Sequence, residues 1–301
     1  MKSKKTLFTI FILLILIFLL IPTKKKYEFK VKIPGKRNYK ILFDLSKCEN
    51  CGNADWKIDD NYPDPEPKDP KSEKDWKGAL STLGYILFKT NRFKLKTIPP
   101  TGKILYGTNS SLDLKNFDLL IICEPNKPFS ENEKISILNF IKNGGSLLGV
   151  CDHYHSDRNG DGVDSVDIWN DLFNSSNIKN PFGFYINYSN VTGDFFQSKI
   201  PCKDAEYILK GPFGIANRIT FHRGATLHII NKNAIGLFTR KNILPNYTVA
   251  ISHFGRGKVF FVCDSSILDD GTGGYGKKLY NDFFEEDNYK LILNGVIWLL
   301  N

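Results

Sequence analysis

The residues best suited to chemistry lie between Gly149 and Trp169, GVCDHYHSDRNGDGVDSVDIW. A short apolar run, Ser146 to Cys151, breaks there into Asp152, His153, His155, Asp157, Asn159, Asp161, Asp164 and Asp167. Carboxylates and imidazoles directly behind a buried strand make a ligand set for a divalent cation. Calcium or magnesium suits it if oxygens dominate, zinc or manganese if His153 and His155 bind directly. Asp157, Asn159, Asp161 and Gly162 also match the first, third, fifth and sixth positions of a calcium loop. The match stops at the twelfth position, which is Ile168 instead of a bidentate Glu, so Asp164 or Asp167 would have to substitute. A plain Asx-rich turn reads the same residues without an ion.

Four expected central strands end in an acid or an imidazole: at Asp44, Glu124, Asp152-His153 and Asp264. Ligands of open α/β sheets bind outside the carboxyl ends of the strands. Carboxylates brought side by side there need a cation or a shared proton. Any one of these acids also serves as a helix cap or turn former, but four on one rim point to a site. In it Asp152, His153 and Asp264 would hold the metal, with Glu124 or Asp44 as general base and His153 close to the reaction. His222, in FHRGATLHI, is a candidate to line the same site, whereas His228 reads as a core residue. Trp56 and Trp76, with the proline-rich loop between them, are candidates to contact a ligand or partner. Cys151 as a nucleophile would need a base and an electropositive setting. Asp152 next to it works against this, so Cys151, like Cys123 and Cys263, reads as a small buried hydrophobe. Cys48 and Cys51 leave three readings open: a disulfide, half of a zinc site, or two idle thiols.

These residues need a scaffold, and the apolar periodicity supplies one. Tyr39–Asp44, Phe93–Ile98, Phe117–Cys123, Ser146–Cys151 and Lys258–Cys263 read as strands. Capping boxes at Ser72/Asp75 and Ser130/Glu133 open helices. The first carries Trp76, Leu80, Leu83 and Leu87 at helical spacing, the second Ile135, Leu138 and Ile141. Val166–Phe173 and Asn288–Leu300 are also helical. The alternation predicts an α/β fold, a three-layer α/β/α sandwich with a mostly parallel sheet. Residues 181–250 break into short β-type runs and read as a β-rich insertion or flank.

Gly149-Val-Cys151 at a strand end resembles the cysteine elbow of class I glutamine amidotransferases, and the strand order resembles their flavodoxin-like fold, over roughly residues 40–155 and 255–300. His153 stands where that family has a small residue, and His253 is followed by Phe254 and Gly255 instead of forming a His-x-Glu pair. The resemblance therefore implies the fold and not amidotransferase activity. Ala54-Asp-Trp56, Trp76-Lys-Gly-Ala-Leu80, Glu124-Pro-Asn126, Asp152-His153, Ser156-Asp-Arg-Asn159, Ile168-Trp-Asn-Asp-Leu172, Asn180-Pro-Phe-Gly183 and Asp264-Ser-Ser266 with Asp269-Asp-Gly-Thr-Gly273 resemble an uncharacterised group of secreted or membrane-anchored prokaryotic proteins of this fold. That resemblance spans nearly the whole globular part. It implies an exterior location and brings no reaction with it.

The formal charge of +9 over 301 residues is local. Residues 1–40 hold 11 Lys/Arg and one acid, while the remaining 30 Lys/Arg face 31 Asp/Glu. A basic N-terminus suits an anionic lipid surface, and nothing asks for nucleic acid or a nucleotide cofactor. After a short basic start (1–5), Thr6–Pro22 is charge-free and apolar, bracketed by lysines, without a small-residue cleavage site. It reads as an uncleaved single-pass anchor followed by a basic tether (23–40) and the α/β domain (41–301). The lysines after the span favour a cytoplasmic domain; the short basic N-terminus favours export, which is the expectation adopted. The expected function is a metal-assisted hydrolase of an envelope glycan or peptide. The alternative is a non-catalytic ligand- or partner-binding module with a structural calcium loop, and a third reading is a structural component of a membrane complex.

Overall fold

The computed structural model describes residues 37–175, 178–198, 202–241, 246–274 and 276–301. The expected anchor at 6–22 and most of the tether lie outside them. Among the described residues no helix is long and apolar enough to cross a membrane.

Leu119–Cys123 (β3) and Ser146–Val150 (β4) are buried at every position, as strands covered on both faces must be. β1 (Tyr39–Asp44) pairs in parallel with β2 (Phe93–Ile98) on one side and with β3 on the other. β4 joins β3, and β11 (Gly257–Val262) joins β4, both in parallel. α1 (Ser81–Lys89), α2 (Glu131–Lys142) and α3 (Ser165–Phe173) follow β1, β3 and β4, and α5 (Asn288–Leu300) closes the chain. Consecutive strand residues point to opposite faces, and Phe260 and Phe261 of β11 show both faces covered. Gly295 of α5 lies against the Phe260 ring, while Trp169 of α3 meets Phe261 edge-on at 5.1 Å.

Residues 181–250 are not a separate layer. β5 (Phe184–Gln197), β8 (Arg218–Ile229), β9 (Ala234–Thr239) and β10 (Val249–Phe254) extend the same sheet by antiparallel pairing. Its order is β2-β1-β3-β4-β11-β10-β9-β5-β8. The sheet is thus mixed, parallel through its first five strands and antiparallel through the rest. A short helix, α4 (Lys203–Leu209), and a two-stranded ribbon, β6 (Lys210–Gly211) and β7 (Gly214–Ile215), lie between β5 and β8.

Two local expectations change. Trp76–Leu80 is not helical: the capping box at Ser72/Asp75 closes a single 3-10 turn, and α1 begins at Ser81. The cause is a backbone competitor, since Ala79 N–H donates to Asp55 O (2.9 Å) and Leu80 N–H to Lys57 O (3.0 Å). Ile135 is 47% exposed, because the buried face of α2 runs through Lys134, Ile137, Leu138 and Ile141.

Candidate functional site

The acids expected on the rim do end adjacent strands. Asp44 closes β1, Glu124 follows β3, and Asp152 and Asp264 follow β4 and β11. All four are at most 3% exposed. What they meet there differs from expectation.

Glu124 has a left-handed backbone (φ 49°), a conformation most side chains avoid. Its N–H donates to Val150 O (2.8 Å), and its carbonyl accepts from the Asn126 side-chain amide (2.7 Å). This turn aims the carboxylate at four residues that all donate to it. Trp56 Nε1 and Ser265 Oγ donate to Oε2, the latter at 3.0 Å; Ser156 Oγ and Arg158 Nε donate to Oε1, the latter at 2.7 Å. Arg158 Nη2 then reaches Asp152 Oδ2 at 2.9 Å, and Ser265 Oγ, 2.8 Å from that oxygen, shares its one proton between it and Glu124 Oε2. The guanidinium is held from behind by Asn53 Oδ1 (3.0 Å), and its own backbone N–H by Asn126 Oδ1 (2.8 Å). Arg158 thus clasps two buried carboxylates, with Ser265 bridging them. Burial, and then the charge of Asp152, push Glu124 up to about 7, against the pull of Arg158.

Asp264 stands beside this clasp. Its two oxygens accept from Ser266 N (2.8 Å) and Arg223 N (3.1 Å), and burial raises its carboxyl well above the usual range. Asp44 joins a different partner. Its Oδ1 accepts from Ser46, while Asp44 Oδ2 and Glu49 Oε1 find no donor among the described residues. Burial raises both carboxyls, and the two face each other as a carboxyl pair. Asp44 thus faces Glu49, and no hydrogen bond among the described residues joins it to Glu124.

Each oxygen of Asp152 and Asp264 accepts from at least one protein donor, and the cation beside Asp152 is a guanidinium. His153 turns Nδ1 to Tyr154 O (2.8 Å), and burial lowers its pKa. Among the described residues no three His, Cys, Asp or Glu side chains gather as a metal-holding group. The 157–167 loop is closed by Asx turns. Asp157 accepts from the N–H groups of Gly160 (2.8 Å) and Gly162 (2.7 Å), Asn159 from Asp161 N and Asp161 from Val163 N. Asp164 caps α3, and Asp167 accepts from the Tyr188 hydroxyl (3.0 Å).

Of the residues expected to contact a ligand, Trp56 and Trp76 are each 1% exposed. One donates to Glu124; the other donates to Pro67 O and packs edge-on against Phe88. Both belong to the interior. His222 is half exposed and lies beside the rim: its ring stacks on Tyr280 at 3.7 Å, and its backbone N–H donates to Ser266 Oγ. Cys151 is buried and its thiol is pushed well above the ordinary range, as an inert core residue requires. Cys48 and Cys51 form a disulfide. Arg158, Ser156, Ser265 and Glu49 were not candidates by type or spacing. The signal available for Arg158 was its place in Ser156-Asp-Arg-Asn159, six residues after Asp152.

No family model and no curated protein matches the chain. Among solved structures, the mmIFT52 N-terminal domain is similar at 16% identity and a TM-score of 0.52, over 86% of this chain and 96% of that domain. The protein STM3548 from Salmonella typhimurium is similar at 13% identity and TM-score 0.49, covering 87% and 98%. A ThuA-like protein from Parabacteroides merdae ATCC 43184 is similar at 13% identity and TM-score 0.48, covering 88% and 91%. What the first of these likenesses shows is the fold, a large mixed sheet in an α/β chain; no role for any residue comes with it.

Proposed function

We propose that this chain is a non-catalytic, membrane-anchored binding module, built as an amidotransferase-like three-layer sandwich with its α/β domain outside the membrane. One observation carries the reading: the Glu124 carboxylate is fully buried and already accepts from Trp56, Ser156, Arg158 and Ser265. A general base needs a free lone pair within reach of a substrate proton, and a metal ligand needs one free for the ion. On Glu124 both oxygens are already engaged, and Arg158 supplies positive charge beside Glu124 and Asp152. A closed buried network of this kind rigidifies the rim. The exterior location is supported by the short basic N-terminus ahead of the apolar run at 6–22 and by the Cys48–Cys51 disulfide, which suits an oxidising compartment.

The test is to incubate the purified full-length protein with envelope glycans and peptides and to follow products by mass spectrometry, while measuring its metal content. The expected result is no product and no stoichiometric metal. Product formation lost in Glu124→Gln, or metal lost in Asp152→Asn or Asp157→Ala, would overturn the proposal. Protease added to intact cells should degrade the α/β domain; protection would place it inside.

A further inference from the structure

At the far end of α3 from the clasp, a groove of about 330 Å³ opens between that helix and β5. Its chemistry is unusual in being both uncharged and rich in amides. Asn170, Asn174 and Asn180 line one side, and Tyr185, Asn187 and Tyr188 the other. Tyr185 and Tyr188 are 40% and 58% exposed, among the large side chains this protein leaves in solvent. The volume is that of a small-ligand site.

From this groove we infer a binding site for a neutral carbohydrate chain. A sugar presents hydroxyls that both donate and accept, on a ring whose C–H face is apolar. An asparagine side chain offers both a donor and an acceptor, and a tyrosine ring offers a flat apolar face with a polar edge. The Asn174 amide nitrogen is used on Asn170 O (3.0 Å) and that of Asn187 on Thr226 Oγ1 (2.9 Å). Among the described residues nothing takes up Asn174 Oδ1, Asn187 Oδ1 or the side-chain amide of Asn180. The rings are braced: Tyr188 OH donates to Asp167 and its ring makes a T-shaped contact with Tyr154 at 5.0 Å, while Tyr185 leans on His228 at 5.5 Å. Such bracing lowers the ordering cost of binding.

An extended peptide is the competing occupant, since the groove follows the side of β5. Strand addition needs the free main-chain groups of that edge. Here Ile186 N–H donates to Asn170 Oδ1 (3.0 Å) and Ile186 O accepts from Asn170 Nδ2 (2.9 Å), so one asparagine already stands where an added strand would pair. The absence of any charged side chain from the lining points away from acidic or phosphorylated ligands.

The inference rests on the binding-module reading and specifies its ligand. The experiment titrates the full-length protein with chitohexaose, cellohexaose and mannohexaose, reading binding by calorimetry and any cleavage by mass spectrometry. The expected result is saturable, salt-insensitive binding to at least one of them, weakened by about tenfold in Asn174→Ala and in Tyr185→Ala, the size of one lost hydrogen bond or ring contact. Both side chains are exposed, so melting temperature should hold in each variant. No binding to any of the three, binding unmoved in both variants, or capture of an extended peptide library in their place would overturn the assignment. Cleavage of a bound oligosaccharide would overturn the non-catalytic reading and leave the groove in place.

Discussion

At the scale of single residues, the rim depends on a guanidinium held between two carboxylates that burial disfavours. Removing the cation leaves Glu124 and Asp152 facing each other without compensation. Breaking a buried pair in this way costs about 3–5 kcal/mol, so Arg158→Met should lower unfolding stability by that order in a urea titration. The loss should not shrink at high salt, because the pair is screened from solvent. The raised carboxyls also set a pH dependence. Glu124 is pushed up to about 7 and Asp269 to about 6, burial leading in both, and Asp44, Glu49 and Asp264 move the same way. In the unfolded chain these groups ionise near their ordinary values, so from roughly pH 4 to 7 the folded protein binds more protons and stability falls as pH rises. Groups lowered by partners, such as Glu133, Asp204 and Asp287, act at the other end, withdrawing stability as pH drops below about 4. Melting temperature should therefore decline from mildly acidic to neutral pH, with a shallower slope in Glu124→Gln; an unchanged slope would remove Glu124 from the cause. Glu124, Asp152 and Asp264 could be read from sequence because a strand-end acid is visible in a linear pattern. Their partners could not: spacing does not say that Arg158 turns back over two strands, or that Asp44 is claimed by Glu49.

Elements were legible where burial and periodicity agree and illegible where a distant backbone intervenes. β3 and β4 are unbroken apolar runs, and α2 opens on a capping box that also carries a buried ion pair, Glu133 to Lys47 Nζ at 2.6 Å. Trp76–Leu80 has helical spacing, yet the main chain of Asp55 and Lys57 takes its N–H groups, a contact no local window contains. In the insertion, glycine and asparagine signal interruptions that β5 and β8 in fact run through as irregular register. Tight element packing gives a further test. A Cβ on Gly295 of α5 would lie 2.2 Å from Phe260 Cε1. Alanine gains about 1 kcal/mol of helix propensity over glycine, but forcing a methyl into a filled core costs about 1–3 kcal/mol. Phe260 is wholly buried, so the clash wins and Gly295→Ala should lower the melting temperature. A rise would show that the α5–sheet contact has slack.

For the molecule as a whole, charge and fold divide the chain in the same place: the basic excess ends at residue 40, and the sheet begins at Tyr39. The nearly neutral remainder is what the sequence describes best, an α/β architecture whose insertion proves to be more of the same sheet. That continuity has a kinetic consequence. β4 and β11 are neighbours in the ladder, yet Ser146 pairs with Lys258, a separation of 258 − 146 = 112 residues. Closing a loop carries an entropic cost that grows with its length, and contacts of long sequence separation slow folding. β1, β2, β3 and β4 with their helices can assemble from neighbouring segments, while β11 must wait until the whole antiparallel excursion has collapsed enough to deliver it. Pulse-labelled hydrogen exchange should find the amides of β3 protected before those of β11; equal rates would mean that the two halves of the sheet form together. The strand that completes the rim, and carries Asp264 and Ser265 to it, is then the last to arrive during synthesis and refolding alike.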